Sequence, residues 1–441
     1  MEQPFEITTN TLDNFWIPFT GNRDFKKAPR FLAKGDGMYY RKEDGEKIID
    51  ASSGLFTCAL GHGRMEIVDA IYETLKTLDY SSNFNVAHRG GFEVASRLSR
   101  ILPEGLNRVF FGNSGSEAIE SAIKIVMAYN RARGQGHKIR YVSRERAYHG
   151  VNLTGVALSG MINNRKMFAS GGPDVSLLRH THLPDHQFVK GQPETGAELA
   201  EDLQRMCDNY GAENLAAVFI EPIAGSTGTL VPPKGYLERI RAICDANDIL
   251  LVFDEVITGF GRTGEAFAAQ EFGVTPDIMT MAKALTNGVQ PMGATAVKQE
   301  IYDTIVESAA DPRVVEFFHG YTYSAHPGAC AAALATLKIY EEEDVFAQSK
   351  SMRDYFLDGL FSLSDIPGVT NIRGYGMMGG IDVAAAEKPG IRGIEMTKVL
   401  WDLGLHIKFT GDCGIVAPPL VAQKQHIDEM IEKFSKAFKT I

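Results

Sequence analysis

Apolar and polar positions along this chain repeat with two different periods, and the places where the period changes outline its architecture. The run "RVFF" (108–111) reads as a strand and "GNSGS" as the loop after it. Glu117 to Arg133 then reads as a helix with Ile119, Ala122, Ile123, Val126 and Met127 on one face. Further apolar strands are expected at 139–143 ("IRYVS"), 215–220 ("LAAVFI"), 249–253 ("ILLVF") and 277–281 ("DIMTM"), with helices such as Tyr236 to Asn247 between them. Strand runs that alternate with helical ones from about 65 to 320 predict a parallel α/β sheet.

Beyond about residue 325 the pattern changes to long helices (327–342, 345–362, 392–403) with short strands near 369–383 and 405–417. Near the other end, "GMYYRKEDGEKIID" (37–50) reads as a hairpin turning at Asp44-Gly45. A chain of 441 residues is too long for one typical core, so two unequal domains are expected. The larger spans 61–324 and carries the mostly parallel sheet flanked by helices, and a smaller α+β domain is formed by both ends, 1–60 and 325–441.

Composition leaves this picture in place: hydrophobic content of 44% and charged content of 23% suit a globular protein with no biased tract. The net charge of −10 argues against a general nucleic-acid or anionic-membrane binder, which needs a basic footprint. No stretch approaches the roughly 20 apolar residues of a membrane helix. Five cysteines (Cys58, Cys207, Cys244, Cys330, Cys413) are widely spaced without a CxxC, as reduced thiols would be. The start "MEQPFEITTNTLDNFW" has early acids and no apolar core of a signal peptide, so a cytoplasmic protein is expected.

In an open parallel sheet, ligands bind beyond the carboxyl ends of the strands, which directs attention to the residues that follow each one. After 108–111, Ser114, Gly115 and Ser116 open a helix, with Ser114 and Glu117 at capping-box spacing. Free N–H groups, the helix dipole and two hydroxyls make a phosphate cradle there, although a capped helix without a ligand has the same look. Asp254 ends a very apolar strand, where a carboxylate needs a cation or donor: a protonated heterocyclic nitrogen, or simply a structural partner. Lys283 follows the next strand, and in apolar surroundings its amine is nucleophilic and forms Schiff bases; a snorkelling surface lysine is the plainer alternative. Tyr148 in "RAYHG" offers an aromatic face to a planar ligand, with His149 beside it as a structural histidine. His180, His182 and His186 in "HTHLPDH" have loosely metal-like spacing in a Pro-containing loop, but no fourth ligand is evident and no metal is expected. A phosphate cradle, an acid for a ring nitrogen, a stacking aromatic and a desolvated lysine together describe the needs of pyridoxal phosphate.

At these residues the sequence resembles the class III, fold-type I pyridoxal-phosphate aminotransferases, and most closely the β-alanine:pyruvate (ω-amino acid:pyruvate) aminotransferases. The resemblance runs from "WIPFTGNRDF" (16–25) through "SGLFTCALGHGR" (53–64), "LAAVFIEPIAGSTGTLVPPKGY" (215–236), "LLVFDEVITGFGRTG" (250–264) and "HGYTYSAHP" (319–327) to "GDCGIVAPPL" (411–420). It implies Lys283 as the Schiff-base lysine and proton shuttle, Asp254 on the pyridinium nitrogen, Val256 and Tyr148 on the two ring faces, and Glu221 near the ring oxygen. It also implies that Gly115 and Ser116 hold the phosphate, joined by Thr322 from the neighbouring subunit of a homodimer. Whether dimers pair into tetramers stays open. The substrates implied are an ω-amino acid or primary amine and pyruvate, giving an aldehyde or ketone and alanine.

Two departures stand out: Phe56 where close relatives usually have tryptophan, and Lys408 in "LHIKFTGD" where they usually have an arginine that pairs with the substrate carboxylate. A guanidinium grips a carboxylate with two parallel bonds and an ammonium acts as a point charge, so the exchange bears on substrate choice. Phe19, Phe56 and Phe84 are expected to line the rest of the pocket. The rival readings are another donor (taurine, GABA or another amine) or a mutase or decarboxylase on the same scaffold, a cofactor-free Schiff-base aldolase, and a non-catalytic binding protein. The aldolase leaves the phosphate cradle and Asp254 idle; the binding protein predicts a disrupted Lys/Asp pair, which is not what is seen.

Overall fold

Strands form at every position the apolar runs indicate, and the computed structural model assembles them into three sheets. It describes residues 9–168 and 172–440; residues 1–8, on which the reading of the N-terminus partly rests, 169–171 and 441 lie outside the described residues. In chain order the strands are β1 (Lys34–Asp36), β2 (Tyr39–Arg41), β3 (Lys47–Asp50), β4 (Leu106–Gly112), β5 (Arg140–Arg144), β6 (Asp174–Leu178), β7 (Leu215–Ile220) and β8 (Leu250–Asp254). They continue with β9 (Ile278–Met281), β10 (Gly293–Lys298), β11 (Val369–Tyr375), β12 (Met378–Val383), β13 (Leu405–His406), β14 (Lys408–Thr410) and β15 (Cys413–Val416).

The central sheet has the order β4-β10-β9-β8-β7-β5-β6. Pairing is parallel from β9 to β6, whereas β10 runs antiparallel to both β9 and β4. With β10 reversed between them, β4 and β9 point the same way, so the carboxyl ends of β4, β5, β7, β8 and β9 share one edge. Helices cover both faces, which is why β7 is buried along its whole length and reads as an unbroken apolar run. The sequence reading did not pick out β10, "GATAVK", because small residues stand where a β-branched run would announce a strand. Its smallness has a reason: a Cβ at Gly293 would collide with the backbone of Ser114 at the start of the helix Gly115–Ala132.

The other two sheets bring the chain ends together. β13 pairs in parallel with β3, Leu405 opposite Ile49, beside the hairpin of β2 and β3 that turns at Gly45. The remaining sheet has the order β11-β12-β15-β14. Arg262, from "GFGRTG", joins these parts to the centre: its buried guanidinium donates to the carbonyls of Met377 (3.0 Å) and Pro418 (2.6 Å) and to Ser53 Oγ (3.2 Å). Among the described residues no helix is long and apolar enough to cross a membrane.

Candidate active site

A cavity of about 880 Å³ opens at the shared strand edge and reaches β14. Asp254, the last residue of β8, is buried there without a cationic side chain of its own. Its Oδ2 lies 2.9 Å from His149 Nδ1, and its Oδ1 accepts from Val256 N (3.2 Å) and Thr280 Oγ1 (3.3 Å). These partners fix one orientation of the carboxylate at the cavity edge. Glu221, directly after β7, accepts from the Tyr148 and Gly225 amides at 2.9 and 3.2 Å. Burial pushes its carboxyl up to about 7, with His149 opposing and Asp254 adding to the rise.

Lys283 follows β9 with a backbone φ of 51°, a left-handed conformation that a non-glycine residue adopts under constraint. The constraint comes from the turn after it, where Leu285, Asn287 and Gly288 amides bond back to Ala282, Ala284 and Lys283 carbonyls. Burial lowers the Lys283 amine to about 8; Asp254 and Glu221 oppose the shift, and the second cation, Lys408, adds to it. An amine in that range has a far larger neutral, nucleophilic fraction near physiological pH than an ordinary lysine, although the charged form still predominates below pH 8.

The helix Gly115–Ala132 starts at the same edge. Ser114 Oγ accepts from Glu117 N (3.2 Å), but Glu117 does not close the expected reciprocal box: its carboxylate takes the amide and side chain of Asn113 instead (2.6 and 2.9 Å). The Gly115 and Ser116 amides are left without a partner among the described residues. Ser116 Oγ accepts from Val151 N at 3.1 Å, which leaves its own hydrogen for a ligand. Gly150, at φ +90°, keeps this space open, since a Cβ there would stand 2.5 Å from Ser116 Oγ. Unpaired amides, a donor hydroxyl and the helix dipole fit a phosphate group. Gly115 also makes room for Val256, whose Cγ1 would be 3.0 Å from a Cβ at that position, and Val256 and Tyr148 both line the cavity. An oriented acid, apolar and aromatic walls, a phosphate place and a depressed amine are the donor set that pyridoxal phosphate requires.

The opposite wall comes from the chain ends. Lys283 Nζ and Lys408 Nζ each lie 5.7 Å from the centroid of the Phe56 ring. Phe56 is held by a turn in which Ser53, Gly54 and Phe56 all have positive φ. Asp50 organises it: Oδ1 accepts from Ser52 N (2.9 Å), and Oδ2 from Gly54 N (2.5 Å) and pairs with His62 Nε2 (2.8 Å). Phe19 lines the mouth and is largely exposed. Burial lowers the Lys408 amine, against the opposing charge of Glu221.

Phe84 and Thr322 are not brought to this cavity by the chain that carries them, so the expectation of Phe84 as a pocket residue is not met within one chain. Both are exposed: the Phe84 ring packs beside Gly320, and the Thr322 carbonyl accepts from the Tyr80 hydroxyl at 2.9 Å. Of the three histidines, His186 and His182 go to separate partners, and His180 is engaged through its backbone amide, by Glu145. His186 bonds the carbonyls of Thr181 and Thr195 (2.9 and 3.0 Å), and His182 Nε2 meets Asn371 at 3.4 Å. Among the described residues no cluster of three or more ligating side chains forms. The sequence reading missed the link from His149 to Asp254 and the framework role of Asp50; the usable signal for the first was an aspartate at the end of an apolar strand, which must find a donor.

The family model for "Aminotransferase class-III" matches residues 20–438. An omega-aminotransferase of Caulobacter vibrioides is 50% identical over 429 residues, 97% of each chain. A beta-alanine–pyruvate aminotransferase of Pseudomonas aeruginosa is 44% identical over the full length of both. Among solved structures, the omega transaminase from Pseudomonas jessenii in complex with PMP superposes with a TM-score of 0.93 at 31% identity, covering 99% of this chain and 98% of that one. With its strand-end lysine, buried aspartate and helix-bound phosphate place in this setting, the chain belongs to the class III aminotransferases.

Proposed function

We propose that this protein is a pyridoxal-phosphate-dependent transaminase that moves the amino group of a β-alanine-type donor or other primary amine to pyruvate, giving an aldehyde or ketone and alanine. The observation that carries this reading is the convergence of the depressed Lys283 amine, the oriented Asp254 carboxylate and the open start of helix Gly115–Ala132 on one cavity. The names of the full-length relatives support the donor and acceptor. When bound, pyridoxal phosphate supplies an aldehyde for amines and a cationic ring that takes up the electron pair released at the amine-bearing carbon.

The side chains divide the remaining work. The Gly115 and Ser116 amides and the Ser116 hydroxyl would hold the phosphate, and Val256 and Tyr148, which both line the cavity, would bound the ring. Asp254, fixed by His149 and Thr280, would keep a ring nitrogen protonated by charge pairing. Lys283 would hold the cofactor through its Nζ, and the amine, when free, would be the group placed to take the proton from the amine-bearing carbon of the donor and to return one. Lys408 attracts the carboxylate of the acid as a point charge across the Phe56 ring, and Glu221 holds the Tyr148 backbone in place.

Incubating the protein with pyruvate and a panel of amines, with alanine measured, tests the reading. Alanine formed from β-alanine or a simple primary amine supports it; no alanine with any donor, in protein that has taken up pyridoxal phosphate, overturns it.

A further inference from the structure

We propose that Lys408 is a second reactive amine of this cavity, which condenses reversibly with small aldehydes. The aldehyde is the class of product a primary amine leaves behind, so only its source rests on the function proposed above. Lys408 enters from β14, on the wall opposite the strand edge, and its Nζ shares the Phe56 ring with Lys283 at the same 5.7 Å. Among the described residues that Nζ makes no hydrogen bond or ion pair, while the backbone of Lys408 is tied down by pairing with Ile415 and by its amide donating to Ser52 Oγ at 3.0 Å. The two carboxylates of the cavity are already engaged, Glu221 by two backbone amides and Asp254 by His149, Val256 and Thr280. Nothing therefore holds the Lys408 proton in a close pair, and burial lowers its amine although the charge of Glu221 opposes the shift. An arginine at this place has no nucleophilic form, so the lysine adds chemistry as well as altering carboxylate binding.

The step balances without an oxidant or reductant. The lone pair of neutral Nζ forms a bond to the carbonyl carbon, and the carbon–oxygen π pair goes to the oxygen, which is protonated. Loss of that oxygen as water, with two hydrogens that derive from the amine, leaves a carbon–nitrogen double bond. Hydrolysis returns lysine and aldehyde. In its charged form the same residue attracts a carboxylate, so the two roles alternate with the proton.

The test is chemical trapping on the cofactor-loaded protein, in which Lys283 is occupied. Propanal and cyanoborohydride are added, the imine is reduced to a stable secondary amine, and labelled lysines are mapped by peptide mass spectrometry. We expect a propyl group on Lys408 in clear excess over exposed lysines, because lowering an amine's pKa enriches its neutral, nucleophilic form. Lys408→Arg and Lys408→Gln should both lack that label and keep the labelling of exposed lysines. An unlabelled Lys408 beside labelled exposed lysines overturns the proposal, and the parent protein alone decides this if either variant fails to fold. A preparation that binds no pyridoxal phosphate contradicts the proposed function instead, and Lys408 labelling stays readable in it.

Discussion

Lys283 feels the charge of two carboxylates, Asp254 and Glu221, yet burial outweighs both and holds its amine at about 8. The sign of the consequence follows from the direction of the shift. The folded pKa lies below the ordinary lysine value of 10.5, so the unfolded chain binds more protons between those two values. Stability of the cofactor-free protein should therefore rise with pH across that window, as far as this residue contributes. Capture of pyridoxal phosphate should accelerate as pH rises through about 8 and then level off; stopped-flow absorbance checks this, and a rate still climbing near 10.5 would contradict it. His149→Phe removes the donor that orients Asp254, and losing a hydrogen bond to a charged group costs about 1.5–3 kcal/mol. The dissociation constant for pyridoxal phosphate, read by fluorescence titration, should then rise roughly ten- to a hundredfold. Lys283 and Asp254 were legible from their places after apolar strands. The bond from His149 was not, because it joins residues 105 apart and periodicity carries no information about such pairs.

Two short elements set the geometry around those residues. The start of helix Gly115–Ala132 keeps its phosphate place because Gly150 approaches Ser116 without a side chain. Gly150→Ala adds a Cβ 2.5 Å from Ser116 Oγ and forces a left-handed backbone, which costs about 1–2 kcal/mol by itself. We expect a fall of about tenfold or more in affinity for pyridoxal phosphate, with a smaller change in melting temperature than a core cavity would give. Unchanged affinity in Gly150→Ala would show that phosphate does not sit at this helix start. The turn Ser53–Phe56 is the other device, strained at Ser53 and Phe56 and tied down by Asp50. The positions of β4, β5, β7, β8 and β9 were readable from apolar periodicity, down to the limits of β7, whereas β6 and β10 were not. This turn was not, because its conformation depends on Asp50, His62 and Arg262, which lie apart in sequence and meet only when the chain ends fold onto the centre. The strand β10 escaped for the opposite reason: it opens on Gly293, kept small against Ser114, and continues with alanines rather than a β-branched run.

At the scale of the molecule, the cavity takes its amine-activating side from the central sheet and its selective side from the chain ends. Lys408→Ala should lower kcat/KM on β-alanine by roughly ten- to a hundredfold, the worth of a charge-assisted contact, and change an amine without a carboxylate far less. Equal losses on both donors would remove Lys408 from carboxylate recognition. Phe84 and Thr322 stand exposed outside this chain's cavity, and we propose that they complete the site of a second copy. Coexpressed Lys283→Ala and Thr322→Ala chains should then form mixed dimers in which one site binds pyridoxal phosphate as tightly as the parent; sedimentation as a monomer would contradict this. Such a contribution leaves no periodic trace in one chain, and it entered the sequence reading through the family resemblance alone. Borohydride reduction of the cofactor-loaded protein followed by peptide mapping shows whether Lys283 holds the cofactor. A pyridoxyl group on Lys283, lost in Lys283→Ala, is expected; a pyridoxyl group fixed at another lysine, or protein that takes up no pyridoxal phosphate, overturns the assignment.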